Sequence, residues 1–140
     1  MPFPDGATAL THMLVVADLE LSTAWYTDVL GASLFGTYGG TSTVVEILGN
    51  WLLIVTGGGP TPDKPTVTYV APEQVERPSA QLIFRVDDCR VAYDELSARG
   101  AVFLSPPLDH GYEIRAFFRD PDGHLFEISE LVSAARASET

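Results

Sequence analysis

At 140 residues the chain suits one domain, or two small modules sharing a core, and its 46% hydrophobic content is ample for burial. A formal net charge of −11 excludes the basic footprint that nucleic-acid binding needs. No apolar run approaches the ~20 residues of a membrane span, and the single cysteine, Cys89, excludes intrachain disulfides and cysteine-rich metal clusters.

The N-terminus has neither the basic nor the apolar region of a secretory signal, so a cytoplasmic protein is expected. The acidic balance modestly favours cationic ligands, with solubility as its plainer role. After a weakly specified lead, Leu10 to Ala17 reads as a strand with His12, Leu14 and Val16 on one face. Asp18 is placed to cap a helix whose apolar positions are Leu21, Ala24, Trp25, Val29 and Leu30, and Gly31 ends it in the left-handed conformation. Three strands follow, Ser33 to Tyr38, Ser42 to Leu48 and Trp51 to Thr56, punctuated by Gly39-Gly40 and Gly49-Asn50. Residues 57–79 are rich in proline and glycine and read as a linker or flap.

The pattern then recurs. Gln81 to Val86 is a strand, Asp87 and Asp88 offer a cap, Cys89 to Arg99 is a helix with Val91, Ala92 and Leu96 apolar, and Gly100 stops it. Val102 to Leu104 starts a strand that Ser105-Pro106-Pro107 interrupts, and Gly111 to Phe118 continues it. Asp120-Pro121-Asp122-Gly123 is turn chemistry, and the strand beyond it sets Leu125, Glu127 and Ser129 on one face. Residues 133–140 have no anchor of their own and are expected to form a flexible tail.

Placing His12 over Gln81, an offset of 69 residues, puts Asp18 on Asp87, Gly31 on Gly100 and Ala32 on Ala101 without a gap. A five-residue insertion in the second copy then puts Gly49 on Gly123 and Leu53 on Glu127. The domain is thus expected to hold two βαβββ modules, 8–56 and 80–132, with eight main strands. Four stretches carry a resemblance: Thr11-His12-Met13-Leu14-Val15-Val16, Trp25 to Gly31, Leu82 to Asp88, and Arg119-Asp120-Pro121-Asp122-Gly123-His124-Leu125-Phe126-Glu127. In this order, and with the repeat, they resemble the vicinal oxygen chelate superfamily of glyoxalases, bleomycin-resistance proteins and extradiol dioxygenases. The resemblance implies an α+β fold: two βαβββ modules forming a curved mixed sheet around a central cavity, commonly completed as a homodimer.

In metal-binding members of that family, ligands lie on the first and last strands of each module. Carried over, those positions are His12, Leu53, Gln81 and Glu127. His12 and Glu127 are sound donors, Gln81 is a weak neutral one, and Leu53 cannot bind a metal. Leu53 therefore counts against glyoxalase I activity itself, while His12, Gln81 and Glu127 leave a three-donor site for Fe, Mn, Zn or Ni. On this reading the protein is a divalent-metal-dependent isomerase, lyase or dioxygenase acting on a small oxygen-chelating substrate. Glu127 and Tyr112 are its catalytic candidates, Tyr112 as an acid.

The alternative is a metal-free binding protein similar to antibiotic-sequestering members, whose cavity face carries Leu14, Trp51, Leu53, Ile83 and Leu125. Trp51 and Leu53 would meet an aromatic ligand. Arg85 and Arg115 are ligand-binding candidates and also candidate ion-pair partners for Glu127. Glu46 is expected to be exposed, His124 solvated, and Trp25 and Tyr26 to pack their helix.

Overall fold

The computed structural model describes residues 2–132, so the expected tail at 133–140 lies outside the described residues. The elements run β1 (Thr11–Val16), α1 (Leu19–Asp28), β2 (Ser33–Tyr38), β3 (Ser42–Ile47), β4 (Asn50–Thr56), β5 (Leu82–Arg85), α2 (Cys89–Ala98), β6 (Val102–Phe103), β7 (Leu108–Asp109), β8 (Glu113–Arg119) and β9 (Leu125–Leu131). The chain divides into two compact units, residues 2–27 with 31–71, and residues 28–30 with 72 onward. Each unit holds its own mixed sheet, in keeping with the α+β fold expected. The count among the described residues is nine strands rather than eight, because Ser105-Pro106-Pro107 splits one expected strand into the short β6 and β7.

In the first unit the sheet order is β1-β4-β3-β2, with β1 parallel to β4 and the other pairs antiparallel. The register sets Leu14 beside Ile54 and Ile54 beside Thr43, all buried on one face. Helix α1 covers that face, where Thr23 Oγ1 donates to Thr43 Oγ1 at 3.1 Å. Asp18 caps α1 as expected, its Oδ1 accepting from Leu21 N at 3.0 Å. The buried stripe of α1 is Ser22 and Tyr26, while Leu21 is 56% exposed. The apolar positions suggested a face rotated by one residue. Burial of the Tyr26 ring outweighs that of Leu21, because aromatic side chains remove more area from water. The β3–β4 turn also sits one residue earlier than expected, at Leu48-Gly49, both at positive φ, with Ile47 paired to Asn50.

Residues 57–70 fold back on themselves. Gly58 and Tyr69 exchange backbone hydrogen bonds at 3.1 and 2.8 Å, Thr61 pairs with Lys64, and the Lys64 ammonium lies over the Tyr69 ring.

In the second unit the order is β5-β9-β8-β6, with β7 also paired to β8. Phe84, Phe118 and Phe126 stack as a ring series on the side of α2, and Tyr93 of α2 reaches it through Phe103. Asp88, not Asp87, caps α2, accepting from Val91 N at 3.1 Å. Cys89 is buried and Val91 is 58% exposed, so here too the covered stripe differs from the one expected. Burial, and next the Glu130 carboxylate, push the Cys89 thiol up to about 11. The Asp120–His124 turn joins β8 to β9 and fixes their register: Asp120 Oδ1 accepts from Asp122 N at 3.0 Å and His124 N at 2.8 Å.

Candidate functional site

Strand β9 lies between β5 and β8 and turns two faces. Phe126 and Ile128 lie under α2, and Leu125, Glu127, Ser129 and Leu131 take the other side. Cross-strand register builds that side in rows. Ile83, Glu127 and Phe117 form one row; Arg85, Ser129 and Arg115 form the next; Leu131 and Glu113 form a third. Leu108 of β7 stands beside Arg115.

Glu127 is 6% exposed, and its Oε1 accepts from Gln81 Nε2 at 3.2 Å. Its row neighbours, Ile83 and Phe117, are apolar. A neutral amide at that distance offsets only part of the cost of holding a carboxylate away from water. Arg85 and Arg115, the anticipated ion-pair partners of Glu127, both turn to Glu113 instead. Arg85 Nη1 lies 3.3 Å from Glu113 Oε2, and Arg115 Nη1 lies 2.9 Å from Glu113 Oε1. Both arginines flank Ser129 one row from Glu127, and the buried Glu113 carboxylate offers each its own oxygen. The hydrogen bond to Glu113 holds the Arg115 guanidinium more firmly in its charged form. Arg115 Nε and Ser129 Oγ are buried with no hydrogen-bond partner among the described residues.

Glu113 was missed in the sequence. The signal lay in counting outward from the turn: Arg119 faces Leu125, Phe117 faces Glu127, Arg115 faces Ser129 and Glu113 faces Leu131.

The same rows exist in the first unit. On the face away from α1, Met13 is paired with Leu53 as Ile83 is paired with Glu127. The matching offset is therefore 70 residues, not 69, and the capping aspartates Asp18 and Asp88 obey it too. Matching Gly31 to Gly100 concealed this, because α1 is followed by one more residue than α2 before its glycine. Thr11, not His12, thus corresponds to Gln81. His12 stands in register with Leu52, is exposed, and belongs to the face that α1 covers further along. Leu14, placed by the sequence among cavity residues, is on that covered face and buried.

Trp51 and Leu53 are half-buried on the first sheet's open face, and Phe35 meets Trp51 edge-on at 4.5 Å. Glu46 is exposed in the Trp51 row. Tyr112 precedes β8, more than half exposed, with its ring 6.4 Å from that of His110. His124 is half-buried at the β8–β9 turn.

The arrangement is that of a βαβββ repeat protein with a polar site on an open sheet face, and comparison identifies the group. Residues 9–128 match the Glyoxalase/Bleomycin resistance protein/Dioxygenase superfamily, and the chain belongs to it. It is 31% identical over 134 residues to a lactoylglutathione lyase of Salmonella typhimurium, covering 91% of this chain and 95% of that one. Among solved structures, a glyoxalase/bleomycin resistance protein/dioxygenase from Nocardioides superposes with a TM-score of 0.68 at 28% identity, covering 90% of this chain and 84% of the other. A point variant of the fosfomycin resistance protein FosX from Listeria monocytogenes, complexed with Mn(II), superposes at 0.65 with 22% identity over 94% and 97% of the two chains, a likeness of fold alone. The superfamily's description thus joins glyoxalases and dioxygenases with proteins named for antibiotic resistance.

Proposed function

We propose that this protein is a small-molecule-binding member of the superfamily that works without a resident metal, holding its ligand on the Glu127 face of the second sheet. One observation carries the reading. Strand register makes Thr11, Leu53, Gln81 and Glu127 the four repeat-related positions. A catalytic divalent site needs about three good donors drawn from imidazole, thiolate and carboxylate. In the second unit Glu127 has only the Gln81 amide beside it, the matching positions of the first unit are a threonine and a leucine, and His12 belongs to the other face of its sheet. These residues do not fit a metal centre. Among the described residues, no group of three His, Cys, Asp or Glu side chains is placed to hold one.

Glu127 then acts as a hydrogen-bond or ion-pair acceptor for the ligand. Gln81 orients its carboxylate, and Ile83 and Phe117 supply apolar contact beside it. A ligand ammonium or N–H would complete the hydrogen bonding that one amide begins. The acidic chain supports a cationic partner as well.

A second reading, a metal-dependent lyase, rests on the 31% identity to lactoylglutathione lyase. In that case Gln81 and Glu127 would be this sheet's donors, and Tyr112 an auxiliary acid. The two readings separate cleanly. Protein purified without chelators and offered Fe, Mn, Zn or Ni is assayed for metal content, as are its His12→Ala and Glu127→Ala variants. Benzylamine binding is measured by calorimetry in parallel. The binding-protein reading expects far less than one metal per chain in every form, and amine binding that Glu127→Ala abolishes. One metal per chain, lost in Glu127→Ala and accompanied by lactoylglutathione turnover, would establish the lyase instead.

A homodimer belongs to the proposal. Its support is the edge strand β2, which leaves Leu34, Phe35 and Tyr38 at least half exposed, and light scattering tests it. No helix among the described residues is long and apolar enough to cross a membrane, and the free, buried Cys89 supports a cytoplasmic setting.

A further inference from the structure

The cluster beside Glu127 has more hydrogen-bond donors than acceptors. Arg85 and Arg115 each give one hydrogen bond to Glu113, although a guanidinium carries five N–H groups. The two guanidiniums share the single Glu113 carboxylate, and the next negative charge felt by Arg115 is Glu127, one row away and bonded to Gln81. Arg115 Nε and Ser129 Oγ, both buried, have no acceptor among the described residues. Ser129 lies between the two arginines in register. An arginine pair held around a buried carboxylate for structural reasons alone does not account for that surplus. The surroundings are apolar and open, with Ile83 52% and Leu108 58% exposed.

From this we infer that the Arg85–Ser129–Arg115 row is an anion subsite, and that the ligand is an organic molecule joining an acidic group to an amine or other donor. The acid, a carboxylate, phosphonate or sulfonate, accepts from the two guanidiniums and draws the Ser129 hydroxyl and Arg115 Nε into its bonding. The donor end meets Glu127. Residues two apart on one strand face are separated by about 7 Å, which sets the span between the ligand's two polar ends. Glu113 is a positioning residue: it holds both guanidiniums in place with separate oxygens and prevents their mutual repulsion from splaying them. The inference rests on the ligand-binding reading of the same sheet face and adds the ligand's class to it.

The probes are 4-(aminomethyl)benzoate, which places an acid and an amine at opposite ends of one ring, and benzylamine, which lacks the acid. Calorimetry on the full chain gives the ratio of their affinities. The zwitterion should bind at least about tenfold more tightly than benzylamine, the scale of a hydrogen bond to a charged group. Arg115→Gln should bring that ratio toward one. Arg85→Gln should do the same from the more exposed partner, and its melting curve guards against misfolding.

Glu113→Gln gives the decisive sign. If the arginines serve only to pair with Glu113, this change leaves the affinity ratio of zwitterion to benzylamine where it was. If they form an anion subsite that Glu113 positions, loss of its charge lets the guanidiniums splay and the ratio falls while benzylamine binding is unchanged. Equal binding of the zwitterion and benzylamine, a ratio unmoved by both arginine variants, or a ratio unmoved in Glu113→Gln would each overturn the inference. So would failure of the zwitterion to bind. Benzylamine binding with an unmoved ratio would refute the subsite and leave the ligand-binding reading standing. Stoichiometric metal with lyase turnover would defeat that reading itself.

Discussion

Asp120→Ala should cost more stability than any other single change in the β8–β9 turn. The Asp120 carboxylate is 5% exposed, and one of its oxygens accepts from the amides of Asp122 and His124 at 3.0 and 2.8 Å. Hydrogen bonds to a charged group contribute about 1.5–3 kcal/mol each. Water can reach the two amides in part once the carboxylate is gone, so a combined loss of about 2–4 kcal/mol is expected. For a chain of this size that lowers the melting temperature by about 10 °C. Asp120→Asn keeps an oxygen in the same place and removes only the charge, so it should lose about half as much.

Thermal and urea melts followed by circular dichroism measure both variants. Hydrogen exchange on β8 and β9 shows whether the loss is local, since the turn sets the seven register pairs that position Glu127. An alanine variant within about 1 °C of the parent, or an asparagine variant as damaged as the alanine one, would refute the account of the turn.

Gly123→Ala drives a Cβ into Val75 Cγ1 at a φ of +97°, and should cost about 1–3 kcal/mol; combining it with Val75→Ala should restore part of that loss. Ser129→Ala removes a buried hydroxyl that has no partner among the described residues, so the apo protein should melt at the same or a slightly higher temperature while losing affinity for benzoate. Cys89 should resist thiol reagents at pH 8 and react on unfolding, because burial pushes its pKa up to about 11. The sign for stability follows. Above the ordinary thiol value of 9.0 the unfolded chain ionises first, so the Cys89 contribution is whole below pH 9 and is lost as pH rises to about 11, as alkaline melts of the parent and Cys89→Ala can compare.

Much of the scaffold was legible in the residues because local chemistry agrees with the tertiary structure. Alternation on β9, the Asp-Pro-Asp-Gly turn, the Asp18 cap and the left-handed glycines each force one local answer. The offset was harder to read, because two signals disagreed by a single residue. The glycines gave 69, while the caps and strand pairs give 70. In a strand, a one-residue error exchanges the faces, so His12 was placed with the site and Thr11 left out. The partner of the arginines was illegible for a different reason. Arg115 stands two residues from Glu113 on β8, but Arg85 comes within reach of Glu113 only once β5 has paired with β9, a fact of topology that no local pattern records. Helix faces are less legible from aliphatic residues: Leu21 and Val91 are exposed, whereas Tyr26, expected to pack its helix, and Cys89 are buried completely.

The parallel pairing of β1 with β4, and of β5 with β9, also governs how the protein reaches its structure. In each unit the first strand is closed by the last, across roughly forty residues of intervening chain, and such non-local contacts slow folding. During synthesis Gln81 emerges well before Glu127, so the polar pair at the heart of the site forms only when its unit is nearly complete. Until then both edges of β5 are unpaired, which makes this interval the one most exposed to aggregation. The late closure that gathers the site thus also makes the nascent second unit the stage at which crowding and temperature most affect the yield of folded protein.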